Sequence, residues 1–328
     1  MKRAVRNIVR KPVAGLCLTL TALISLSLIS LPLKSLPLKS LPAASSPQSH
    51  SASSSIPTLI IIIDDVGNNG PLGERAIALP GPVTLAFLPH TPHAKRLANE
   101  AAKNNKGIML HAPMANATGA ALGPGALTQE MSPEELQKTL AESLDAIPHV
   151  QGVNNHMGSV LTADHIAMKS VMEVVQQRGL YFIDSLTNPM SVAEKEASEA
   201  GILTDRRDVF LDNDRSLEGL FKQFQRAIDI AERNGSAILI GHPYPETLDF
   251  LEVVLPELIA SDEVIITRAD QHLKEEAWLA PVRTGGEAEL RSRLELRLPL
   301  PVKNKAEADE RPRSASSNDQ VTLQSYQN

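Results

Sequence analysis

The sequence predicts an α/β protein whose core is a distorted (β/α) barrel of seven or eight parallel strands. Three observations carry that expectation. Eight short apolar runs, rich in β-branched residues, recur between residues 59 and 267, and each reads as a strand buried on both faces. Capped helical patterns separate the runs, which calls for parallel pairing with right-handed crossovers. No glycine-rich phosphate fingerprint follows the first run, so an open doubly wound sheet ranks second.

The runs, in order, are Leu59–Ile63, Val83–Leu88, Gly107–Leu110, Val150–Val153, Leu180–Ile183, Ile202–Thr204, Ala237–Ile240 and Val264–Thr267. Between the third and fourth, Ser132-Pro133-Glu134-Glu135 supplies an N-cap, a proline at the first helical position and an acidic first turn. Thr162 opens a helix to about Arg178, with Gly179 as its stop. Ser216 opens another to about Asn234, stopped by Gly235, and Thr247 opens a last one to about Ala260.

The 328 residues suffice for one large domain with tails. Residues 1–56 hold seven Lys or Arg and no acid, so the net charge of −6 divides into +7 there and −13 in 57–328. So acidic a body lacks the cationic surface that nucleic acid requires, and no nucleic-acid partner is expected. Aromatics at 3% speak against a long sugar-stacking cleft. The single cysteine, Cys17, lies in the N-terminal apolar run, so the body has no disulfide, thiolate metal site or cysteine nucleophile.

Residues 1–11 are basic and Pro12–Leu33 carries no charge. Residues 1–33 thus read as a signal peptide or an N-terminal membrane anchor. In either case the positive flank stays cytoplasmic and the body is exported, to the periplasm or cell envelope. Residues 34–56, rich in Ser and Pro, read as a tether. The barrel then occupies 57–283, and 284–328 reads as a disordered tail.

Active sites of such barrels sit at the carboxyl ends of the strands. Those ends carry Asp64-Asp65, His90, His111, Asn154-Asn155-His156, Asp184-Ser185, Asp205-Arg206-Arg207-Asp208 and Gly241-His242-Pro243. Four of nine histidines stand there. Carboxylates and imidazoles converging from different strands suit metal-assisted hydrolysis, with a free carboxylate as base and a histidine as acid. Asn155, Asp184 and Arg207 are candidates for substrate contacts.

At these residues the sequence resembles the divergent polysaccharide deacetylases. The likeness rests on Ile-Ile-Asp-Asp-Val-Gly (62–67), Leu-His-Ala-Pro-Met (110–114), Val-Asn-Asn-His-Met-Gly-Ser (153–159), Phe-Ile-Asp-Ser (182–185), Arg-Asp-Val-Phe-Leu-Asp-Asn (207–213) and Ile-Gly-His-Pro (240–243). The family is similar in fold to the NodB-like carbohydrate esterases, which are distorted (β/α) barrels. The resemblance implies Asp64 as base, Asp65 and His111 as metal ligands, and His242 as acid. Those esterases carry a second histidine four residues after the first, where this chain has Ala115. His156 is the candidate for that vacant place, and the Arg-Pro-Pro-Tyr segment of the esterases is absent. The implied cofactor is a divalent metal, expected as Zn²⁺. The implied activity is removal of N-acetyl groups from an envelope glycan or peptidoglycan fragment. The alternative is an envelope-binding or assembly protein with little turnover on the same barrel.

Overall fold

The computed structural model describes residues 56–283. The segments expected as signal or anchor (1–33), tether (34–56) and tail (284–328) lie outside these residues, Ile56 apart. Among the described residues no helix is long and apolar enough to cross a membrane. One unit ends at Trp278 and holds the sheet and the site; the other begins at Leu279, and its described part is the end of the last helix.

Nine strands form one sheet: β1 (Thr58–Val66), β2 (Thr84–Phe87), β3 (Gly107–Met114), β4 (Gly152–Met157), β5 (Tyr181–Asp184), β6 (Thr204–Arg206), β7 (Val209–Phe210), β8 (Ser236–Gly241) and β9 (Ile265–Thr267). Every pairing is parallel, in the order β6-β5-β4-β3-β2-β1-β8-β7, with β9 beside β1. The sheet is curled as a distorted barrel. Its two ends, β6 and β7, are consecutive in the chain and separated by Arg207 and Asp208 alone. Arg207 N donates to Asp184 O of β5 and Asp208 N donates to Ile238 O of β8, both at 2.9 Å. One segment, 204–210, therefore spans the seam. The expected sixth strand lies two residues later than its apolar run, and β7 is too short to show a pattern.

The helices are α1 (Gly70–Ala78), α2 (Ala94–Lys103), α3 (Pro133–Ala146), α4 (His165–Gln177), α5 (Ala193–Glu199), α6 (Leu217–Asn234), α7 (Pro245–Ser261) and α8 (Ala269–Arg283). Ser132 and Glu135 form a reciprocal capping box at α3. Ser216 caps α6, and Gly235 at φ +92° ends it. Two expected starts are corrected. The cap of α4 is Asp164, whose carboxylate accepts from Ile166 N and Ala167 N, whereas the Thr162 hydroxyl donates to Gly158 O. Pro245 opens α7, and the Thr247 hydroxyl donates instead to Asp212.

Side chains of a strand alternate between two sides. Leu59, Ile61, Ile63, Leu85, Phe87, Leu110 and Phe182 pack into the large outer core beneath the helices. Ile60, Ile62, Ala86, Met109, Tyr181, Ile183, Ile238 and Ile240 form a smaller inner core. Each fully buried isoleucine among them stabilises the fold by about 1.5–3 kcal/mol. The inward series runs on from Ile62 to Asp64, from Met109 to His111, from Ile183 to Ser185 and from Ile240 to His242. The inner core is thus the floor on which polar residues stand at the carboxyl end.

Gly152 lies on that inner side, and a Cβ there would come 2.3 Å from the Tyr181 ring. The ring is buried and has little room to shift. Gly152→Ala is expected to lower stability by about 1–3 kcal/mol, the usual penalty of overpacking, in urea unfolding. An unchanged midpoint would show that the ring moves freely.

Candidate metal centre

The first site residues are delivered by an irregularity in β1. Ile63 pairs with Leu85 and Val66 with Phe87, so Asp64 and Asp65 together face Ala86 alone. This is a β-bulge, a device that re-aims one side chain of a strand. Asp65 takes φ +57°, a left-handed conformation that aspartate tolerates better than most residues. Regular alternation would send the two carboxylates to opposite sides; here both reach the mouth. His111 and His156 sit within β3 and β4, paired as neighbours through His111↔Asn154 and Pro113↔His156. These candidate ligands therefore ride on strands, not on loops.

Asp65 Oδ1 lies 3.2 Å from His111 Nε2 and 3.0 Å from His156 Nδ1. The two nitrogens are 3.1 Å apart. The three atoms make a nearly equilateral triangle. Oxygen and nitrogen ligands at about 2.0–2.1 Å from a tetrahedral zinc stand about 3.3 Å from one another, so the triangle matches one face of such a coordination shell. Asp65 Oδ1 is buried and has no hydrogen bond of acceptable angle. Among the described residues this is the one group of three such side chains that could hold a metal ion. Donor types and spacing therefore fit a divalent cation.

Electrostatics separate the two carboxylates. Burial raises the Asp64 carboxyl above its ordinary range, more than His111, His242 and Asn154 lower it. Burial acts likewise on Asp65, but the adjoining imidazoles of His111 and His156 outweigh it and hold that carboxyl well below the usual range. Asp64 Oδ2 is 3.7 Å from His111 Nε2, while Asp64 Oδ1 accepts from Asn154 Nδ2 at 2.8 Å. The other end of that amide meets His111 Nδ1, again at 2.8 Å.

His242 belongs to a second pair. Its Nδ1 is 2.9 Å from Asp212 Oδ1, and its main-chain N–H donates to Asp212 Oδ2 at 2.6 Å. Thr247 also donates to Asp212, so the buried carboxylate is satisfied and rigid. Burial disfavours the charged imidazole, but Asp212, and then Asp64 and Asp65, push its pKa up to about 9. The ring lies between Phe210, stacked at 6.2 Å, and Tyr244, tilted at 5.5 Å. Arg207 covers the Phe210 ring at 3.8 Å and Arg215 covers Tyr244 at 4.6 Å.

The structure thus brings Asp64, Asp65, His111 and His156 into one cluster, with His242 coupled to it electrostatically. It uses Asn155, Asp184 and Arg207 elsewhere. Asn155 bonds Met157 O and Ser185 N; Asp184 bonds Leu186 N and the Ser191 hydroxyl. Both occupy outward positions in their strands, and their polar atoms are committed to the fold. Arg207 donates to the carbonyls of Ser185 and Leu186. His90 is exposed in a left-handed turn. Two residues of the site were given no role by sequence reasoning: Asn154, named only as one of the polar residues at a strand end, and Asp212. Each stood in a quoted motif, and the available signal was a polar residue buried at a strand end.

A curled parallel α/β barrel with aspartates and histidines gathered at its mouth defines the class. The chain belongs to the divergent polysaccharide deacetylase family, whose model matches residues 61–270. It is 35% identical over 217 residues to the uncharacterized protein YibQ of Escherichia coli, covering 66% of this chain and 67% of that one. An uncharacterized protein of Haemophilus influenzae is 35% identical over 200 residues, covering 61% and 71%. The crystal structure of the uncharacterized protein ATU2773 from Agrobacterium tumefaciens superposes with a TM-score of 0.63 at 22% identity, covering 67% of this chain and 90% of that one. That likeness is one of fold.

The His242–Asp212 pair sets a pH signature. The folded pKa is above the unfolded value of about 6.5, so the stability this histidine contributes is complete below that pH and is lost as pH rises through about 9. In Asp212→Asn the neutral amide removes most of the attraction. NMR titration of the metal-free protein should then show the His242 midpoint falling from about 9 toward the ordinary value. An unmoved midpoint would mean that Asp64 and Asp65 hold the proton instead.

Proposed function

We propose that this protein is an exported, metal-dependent hydrolase that removes N-acetyl groups from an envelope polysaccharide. One observation carries the reading. A buried base candidate, Asp64, adjoins a triangle of three ligand atoms, and a histidine held protonated by Asp212 completes the set. Membership of the divergent polysaccharide deacetylase family supports the reaction class and the glycan substrate. The basic flank and uncharged run of residues 1–33 support export.

Asp65 Oδ1, His111 Nε2 and His156 Nδ1 would hold the cation, expected as zinc. The chemistry such an ion supplies when bound is polarisation of a carbonyl and acidification of a water. Asp64 stands beside the triangle with Oδ2 toward His111 Nε2, placed to take a proton from the attacking water. Burial raises its proton affinity above that of an ordinary carboxylate, which favours a base. His242 enters protonated and can give its proton to the departing amine nitrogen. The C–N bond breaks, leaving acetate and a free amino sugar. Asp212 keeps the imidazole oriented while its charge changes.

Purified protein is expected to bind zinc and to release acetate from N-acetylglucosamine oligomers or peptidoglycan. Asp65→Ala should lose both properties. Asp64→Asn should keep zinc and lose about 10²–10⁴-fold in turnover, the usual contribution of one acid–base group. Protein that takes up no metal, or acetate release unchanged in Asp65→Ala, would overturn the reading. The barrel would then act as a binding or assembly component. Fractionation of cells making the full chain should place it in the envelope or periplasm, and a cytoplasmic pool alone would sink the export claim.

A further inference from the structure

Asn154 is fully buried, and none of the roles assigned above belongs to it. Its side-chain amide is the direct bridge between the base candidate and a ligand. Nδ2 donates to Asp64 Oδ1 at 2.8 Å and approaches Ser185 Oγ at 3.3 Å. Oδ1 faces His111 Nδ1 at 2.8 Å. With Asp64 ionised the amide orientation is set from both sides, because a reversed group would turn its oxygen onto the carboxylate and its two protons toward the imidazole. With Oδ1 as acceptor, His111 Nδ1 must be the donor. The Nδ1 proton is thereby fixed on the far side of the ring, and Nε2 is the nitrogen left to face Asp65 and His156.

We propose that Asn154 is a positioning residue that does two separable jobs through one amide: its oxygen fixes the Nδ1–H form of His111 for metal binding, and its nitrogen ties down Asp64 Oδ1 so that Oδ2 alone faces the opening. Metal-bound histidines ordinarily give their second N–H to a carboxylate, a carbonyl or water. An asparagine in that place adds what a carboxylate lacks, a donor for the neighbouring base. The role rests on the metal-hydrolase reading, but it is tested by measurements that do not need turnover.

Two variants split the jobs. Asn154→Leu removes both ends of the bridge at similar volume. Asn154→Asp keeps an acceptor for His111 and replaces the amide donor with a carboxyl group that can bond Asp64 only by sharing a proton with it. Folding of each is checked by thermal melting. With ¹⁵N-labelled histidine, wild type and Asn154→Asp are expected to show a protected, hydrogen-bonded Nδ1–H on His111, both metal-free and with zinc. Asn154→Leu should lose that protection. In chelator competition, Asn154→Leu should bind zinc about 10–100-fold more weakly, as other losses of a ligand's hydrogen-bond partner do, whereas Asn154→Asp should stay within about threefold of wild type. Acetate release should fall in both variants. An unchanged His111 signal and zinc affinity in Asn154→Leu would overturn the proposal. If that variant does not fold, Asn154→Asp decides alone: loss of the Nδ1–H signal or tenfold weaker zinc binding overturns the role, and retention of both with depressed acetate release supports it. Should wild type bind no zinc, the metal-hydrolase reading fails, and the His111 signal in the metal-free variants still decides whether Asn154 fixes the ring.

Discussion

One extra residue in β1 is the constraint on which the site depends. Because Asp64 and Asp65 share a single partner position opposite Ala86, the strand is released from its two-residue alternation at the barrel mouth. Asp64 continues the inward series begun by Ile60 and Ile62, and Asp65 swings in beside it at φ +57°. Delete the bulge and one of the two carboxylates would point into the outer core beneath the helices. The two carboxylates could then not stand side by side, and His111 and His156 would face each other without the oxygen that completes their triangle.

Placing two carboxylates so close creates an electrostatic problem, and the surroundings solve it by treating them differently. Asp65 is given two imidazoles and stays ionised. Asp64 is buried against the inner core with an amide as its close partner, and its proton affinity rises. Neighbouring titratable groups pushed in opposite directions are the usual mark of divided acid–base roles. The proton affinity of the third member, His242, is also raised, by a dedicated partner, Asp212, which itself is satisfied by three donors. The mouth therefore holds two carboxylates and an imidazole that are distinguished by burial and partners more than by residue type.

The seam of the barrel contributes to the same end. Segment 204–210 leaves β5 and joins β8, and it carries Arg207 and Phe210 into the stack that runs through His242 to Tyr244 and Arg215. Arg207 also clamps the carbonyls of Ser185 and Leu186 at the end of β5. The short strand pairings at the seam are thus supplemented by side-chain contacts beside the imidazole.

By itself the sequence determined the alternation of strands and helices, the parallel barrel, and the polar residues gathered at the strand ends. These are consequences of hydrophobic runs, caps and stops that act over a few residues. It also pointed to Asp64, Asp65, His111, His156 and His242 through motif resemblance. The phase of alternation lay beyond it. A strand apolar on both sides carries no pattern that tells inward from outward, so nothing local distinguished Asn154 from Asn155, or Ser185 from Asp184. Tertiary structure decided each pair by register: Asn154 and Ser185 face the mouth, and Asn155 and Asp184 are spent on the loops behind it. Asp212 was hidden for a related reason. Its importance comes from a histidine 30 residues later, brought to it by the parallel pairing of β7 with β8.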